Sequence, residues 1–156
     1  MKRVMVFAGT VGGALVLWTA AAAAATSGPQ SFILTSPTGG GHQGTITAAG
    51  PVHGTGVDRV INNNTDRFVF PRQGSVLVNH QATSSHPGPE VGCVFFYSER
   101  GTYSLAGGTG QYVGASGGGT YRVSDVFFAT PTSKGCSGRN GTDFLVIAAS
   151  GHTTLP

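Results

Sequence analysis

Beyond residue 41 the chain sustains no hydrophobic pattern of helical period. Instead, β-branched and aromatic residues recur in short runs, each bounded by Gly, Pro, Asn or Ser. Runs that read as strands cover residues 44–49, 52–61, 67–70, 75–81, 91–105, 119–128 and 143–150. Turn-forming clusters separate them at residues 62–66, 71–74, 84–89, 107–110 and 131–141. Phe32, Ile33 and Leu34 form one further short run inside residues 26–41, a polar segment rich in Gly and Pro that reads as a flexible lead-in. An all-β fold with seven or eight strands, either a barrel or a sandwich, is the expectation.

Period-two alternation sharpens this picture. Cys93, Phe95, Tyr97, Glu99, Gly101, Tyr103 and Leu105 share one face of the longest run, and Ser98, Arg100, Thr102 and Ser104 share the other. The first face reads as interior. Tyr121, Val123, Asp125 and Phe127 repeat the pattern against Thr120, Arg122 and Ser124, and the triplet Gly101-Thr102-Tyr103 recurs as Gly119-Thr120-Tyr121. Two neighbouring antiparallel strands of similar design, joined through the glycine-rich connection, account for the recurrence.

Residues 1–25 read as a secretory signal peptide. Lys2 and Arg3 give a positive end, an uncharged apolar stretch runs from Val4 to Trp18, and alanines at 20–25 offer cleavage sites. The competing reading is a membrane anchor, since about 20 apolar residues span a bilayer. Glycines at 9, 12 and 13 temper the hydrophobicity of the segment and favour the signal. A secreted, extracellular protein without a stable membrane anchor is therefore expected.

Removing Lys2 and Arg3 from the nine basic residues leaves seven against six acids. With so little net charge and no basic run, nucleic acid is not an expected partner. The remaining chain is of ordinary size for one domain. Its two cysteines, Cys93 and Cys136, are expected to pair, because disulfides persist outside the cell.

The stretch Leu105-Ala106-Gly107-Gly108-Thr109-Gly110-Gln111-Tyr112-Val113-Gly114-Ala115-Ser116-Gly117, followed by Gly119-Thr120-Tyr121, resembles the glycine-rich signature of the allene oxide cyclase and dirigent-like barrels. In that superfamily a strand ends in a G-G-T-G turn, an aromatic residue follows, and a G-A-x-G step leads into the next strand. The resemblance implies an antiparallel closed barrel of eight or nearly eight strands over residues 42–156, with a cavity for an apolar ligand. Such proteins steer cyclisation or coupling with few polar groups, so a cofactor-independent cyclase or isomerase is implied by the resemblance alone. Tyr112 reads as a packing plug, and the glycines as residues that take positive φ or allow close backbone approach.

On the interior assignment, Glu99 and Asp125 project inward among Tyr97, Tyr103 and Tyr121, and these five are the candidate ligand-binding residues. A carboxyl group in apolar surroundings has its pKa raised, which suits a general acid or a polar anchor. The alternative places both acids at a wet rim, or in ordinary ion pairs with Arg59, Arg100 or Arg122, and a bulge at Gly101 would reverse the facing. His42, His53, His80, His86 and His152 are scattered without metal-site spacing, although a cross-strand pair of His53 and His80 stays open. No G-x-S-x-G elbow occurs, and Gly107 to Gly110 lack the helix and Lys-Ser/Thr pair of a phosphate loop. No cofactor or metal is expected. Three readings follow: a non-catalytic binder of a small apolar or aromatic molecule, a cyclase or isomerase, and a structural protein whose barrel is filled by side chains.

Overall fold

The computed structural model describes residues 25–36 and 44–156, and the expected export segment lies outside them apart from Ala25. Eight strands follow one another: β1 (Thr26–Ser36), β2 (Thr45–Ala49), β3 (Gly54–Asn62), β4 (Thr65–Phe70), β5 (Gly74–Val91), β6 (Val94–Gly110), β7 (Ser116–Thr132) and β8 (Gly135–Leu155). Each runs antiparallel to the next, and β1 closes on β8 from Thr26↔Leu155 to Ser36↔Leu145, giving a closed eight-stranded barrel. Closure removes the unpaired edges that an open sheet of this length would expose.

Inward-pointing residues alternate with outward ones on every strand. Phe32 and Leu34 of β1, Ile46 and Ala48 of β2, Phe68 and Phe70 of β4, Val76 and Val78 of β5, Tyr103 and Leu105 of β6, and Tyr121 and Val123 of β7 form the core. Leu145, Ile147 and Ala149 of β8 pack against them. Phe32 meets Phe68 and Tyr103 with ring centroids 5.4 and 5.9 Å apart.

One end of the barrel is plugged. Tyr112, in the turn after β6, is 1% exposed, stacks edge-on with Phe70, and places its hydroxyl within hydrogen-bonding distance of the His53 carbonyl and the Gln73 side chain. Gln30 of β1 stitches the segment between β2 and β3 to the wall: its amide donates to the Val52 and Ala49 carbonyls while its oxygen accepts from the Val52 N–H.

At the other end, β5 to β8 run on past β1 to β4. Pairing of β4 with β5 ends at Thr65↔Asn79 and that of β1 with β8 at Ser36↔Leu145, whereas β7 and β8 remain paired out to Thr132↔Gly135. A four-stranded extension results. Its tips are joined by the Cys93–Cys136 disulfide, with the two Cα atoms 5.4 Å apart. Its outer face carries a cross-strand row of Phe96, Val126 and Phe144, with Phe128 next to it.

Three sequence expectations are corrected. Residues 26–36 are not a flexible lead-in but the stave that closes the barrel, so the barrel begins at Thr26 rather than at residue 42. Residues 84–89 are not a turn but part of β5, an edge strand in the extension. Pro87 and Pro89 are tolerated there because an edge strand has a side that owes no ladder hydrogen bond, and register shifts around them twist the edge away from further pairing. Residues 131–141 are mostly β7 and β8, and the turn between them is confined to Ser133 and Lys134.

The disulfide closes a long loop, which in the chain-entropy picture constrains the unfolded state by roughly 4 kcal/mol. Replacing both cysteines, Cys93→Ala with Cys136→Ala, is expected to lower the unfolding free energy in a denaturant titration by up to about that amount. The native protein should yield no alkylatable thiol until it is reduced.

Candidate functional site

The recurrence of Gly-Thr-Tyr has a geometric meaning. The two triplets lie opposite each other in antiparallel register, Gly101↔Tyr121, Thr102↔Thr120 and Tyr103↔Gly119, so each tyrosine faces a glycine across the β6–β7 pair. A Cβ on Gly101 would fall 2.4 Å from the Tyr121 ring and 2.2 Å from the Gln81 carbonyl oxygen. Glycine is thus the residue that lets the Tyr121 ring lie flat on the sheet, pointing its hydroxyl at Glu99 two positions away.

Glu99 is held from both sides. Its Oε2 accepts from the Tyr97 hydroxyl at 2.6 Å and its Oε1 from the Tyr121 hydroxyl at 2.7 Å. Burial, and then the bond to Glu99, push the Tyr121 phenol above the ordinary tyrosine range, and the bond to Glu99 raises that of Tyr97.

Next to Glu99, β4 and β5 contribute an ion pair, His80 Nε2 to Asp66 Oδ2 at 3.2 Å, with the His80 side chain 27% exposed. The hydrogen bond that His80 donates to Asp66 raises the His80 pKa against the opposing effect of burial, and the charges of Asp66, Glu99 and Asp58 add to it. The imidazole also stands edge-on to the Tyr121 ring, with centroids 6.0 Å apart. Asp58 of β3 points inward, is 6% exposed, and has no hydrogen-bond partner for its Oδ1 among the described residues. Burial, and then the charge of Asp66, raise its pKa to about 7.

All of these groups but Asp58 and Tyr97 stand at one end of a cavity of about 90 Å³. Asp66, His80 and Glu99 line its polar side. Phe32, Leu34, Ile46, Phe68, Val78, Val123, Ile147 and Ala149 line the rest, together with Tyr103 and Tyr121. Tyr103 is 6% exposed, and its hydroxyl has no partner among the described residues. Burial alone raises its pKa. A chamber of this size is below the few hundred Å³ typical of sites that enclose a drug-sized ligand. It suits one ring or a short chain.

The structure brings three of the five expected site residues together on the cavity: Glu99, Tyr103 and Tyr121. Tyr97 stands outside it, half-exposed, and acts through its bond to Glu99. Asp125 is separated from it. It sits across from Tyr97 on the extension and borders a groove with Pro89 and Phe96, and burial and the neighbouring Asp143 raise its pKa. Arg59, Arg100 and Arg122 are exposed on the opposite face of their strands and leave Glu99 to the two phenols. His53 lies at the plugged end, far along the barrel from His80, so the two do not form a joint site. Among the described residues no group of three His, Cys, Asp or Glu side chains is placed to hold a metal ion.

Asp58 and Asp66 are site residues absent from the sequence-based expectations, which consider His80 only as a partner of His53. Strand parity could have found them. Counting back by twos from Phe70 and Phe68 reaches Asp66, and counting forward from Val76 and Val78 reaches His80.

No family model, curated protein or solved structure matches the chain.

Two predictions follow from this geometry. Gly101→Ala would force the Tyr121 ring or the β5–β6 ladder aside, and is expected to cost about 1–3 kcal/mol of stability, read as a lowered denaturation midpoint. The second concerns pH. Asp58 holds its proton to about pH 7 in the folded state against 3.8 when unfolded, so stability falls as pH rises between these values. His80 stabilises below its unfolded pKa of 6.5, and that contribution is lost as pH passes its raised folded value. Both groups act in the same direction, and so does Asp125. The protein should be more stable near about pH 5 than near pH 8, and Asp58→Asn should remove roughly 3 kcal/mol of that difference. A denaturation midpoint flat across this range would contradict it.

Proposed function

We propose that this protein is a secreted binding barrel that takes a small apolar or aromatic group into the cavity between Phe32, Phe68 and Val123, without transforming it. One observation carries the reading: an apolar chamber remains open in an otherwise filled barrel, and the buried Tyr103 hydroxyl in its wall has no partner among the described residues. A buried unpaired hydroxyl costs about 1–3 kcal/mol, which a ligand with a polar atom would offset. The disulfide is consistent with export, and the glycine-rich resemblance to the allene oxide cyclase and dirigent-like barrels agrees with a ligand-holding interior.

Asp58 favours a second reading. A carboxyl group that titrates near pH 7 beside the Asp66–His80 pair is suited to proton transfer, as a cofactor-independent cyclase or isomerase would need. The third reading, a barrel wholly filled by side chains, is disfavoured by the open chamber.

Benzyl alcohol titrated into isotopically labelled protein should shift the methyl resonances of Val78, Val123 and Ile147. Ala149→Leu, which fills part of the chamber, should weaken that binding by about tenfold or more. Unperturbed methyls at millimolar probe would refute the binding reading.

A further inference from the structure

We propose that the natural occupant of the cavity is an amine on a small apolar or aromatic body, with its ammonium group at the Glu99 and Asp66 end and its apolar part against Phe32 and Phe68. This rests on the binding reading above and narrows the ligand to one charge class.

The charge distribution around the chamber is one-sided. β4 contributes Asp66, β5 His80 and β6 Glu99, while β1, β2 and β8 line it with apolar side chains alone. Two carboxyl groups therefore face one imidazole. The arginines nearest in sequence, Arg59, Arg67, Arg100 and Arg122, all lie exposed on the outer face. An anionic ligand would meet Glu99 and Asp66 with no cation but His80, already engaged by Asp66. A neutral ligand would leave the excess negative charge uncompensated in a partly desolvated site, whereas an ammonium group neutralises it.

The hydrogen-bonding inventory points the same way. Each oxygen of Glu99 accepts one phenol hydroxyl and keeps further lone pairs. Tyr103 presents a buried oxygen from the chamber wall with no partner among the described residues. An ammonium group has three donors and no acceptor, and so matches a set made of carboxylate and phenol oxygens. The Tyr121 and Tyr103 rings supply electron-rich faces to the same cation.

Three probes of nearly the same shape test this: benzylamine, benzyl alcohol and benzoate, each titrated by nuclear magnetic resonance at neutral pH. The expectation is that benzylamine binds at least about tenfold more tightly than benzyl alcohol, and that benzoate does not bind. Glu99→Gln should remove most of that preference, read as the ratio of the two affinities in the same variant. Should that variant fail to fold, sodium chloride raised from low to about 0.5 M on the unaltered protein should weaken benzylamine and spare benzyl alcohol. Equal binding of amine and alcohol, or tighter binding of benzoate, would overturn the amine assignment and leave the cavity reading standing. If none of the three shifts the cavity methyls, the cavity reading itself fails.

Discussion

The interior of an eight-stranded barrel is about as wide as the side chains that fill it, so every inward residue is a near neighbour of inward residues from several strands. The rest of this structure depends on that confinement. A carboxyl group that would be an unremarked surface acid on an open sheet is here pressed against rings and other acids. Asp66, His80 and Glu99 come from three consecutive strands, yet they share one end of one small chamber, and Asp58 of β3 is buried within reach of their charges. Confinement also explains how differently they settle: Glu99 is satisfied by two phenols, Asp66 by His80, and Asp58 by holding its proton to near neutrality.

Glycine is the counterpart of that crowding. Where the wall must accept a ring lying flat, the residue beneath has no side chain, as at Gly101 under Tyr121. The same device fixes the direction of the Tyr121 hydroxyl and hence the orientation of the Glu99 carboxylate. A local backbone choice on β6 thereby sets the chemistry of the chamber.

Much of this was legible in the chain. The alternation of Glu99, Gly101, Tyr103 and Leu105 gave the correct facing of β6, and the repeated Gly-Thr-Tyr marked β6 and β7 as partners. The disulfide partners followed from there being two cysteines. What could not be read was which inward residues meet, because closure, not sequence distance, brings β3, β4 and β5 beside β6. Asp66 looked like turn chemistry because three asparagines precede it closely. Asp125 shares parity with Glu99, but parity fixes a face and not a height, and the extension carries Asp125 beyond the chamber. Pro87 and Pro89 suggested a turn because an edge strand, which tolerates proline, cannot be distinguished from a loop by local composition.

The pairing of β1 with β8 sets a rule for how such a chain can acquire its shape. Thr26, the first residue of the barrel, pairs with Leu155, next to last in the chain. The final seam can therefore be sewn only when β8 is present, and it joins residues far apart in sequence. Contacts of this kind make folding slow relative to helical proteins of equal size. A chain emerging from its site of synthesis is consequently left with an open sheet, exposed along β1, until β8 arrives. Whatever carries or shields it during that interval acts on an unclosed ribbon rather than on a barrel.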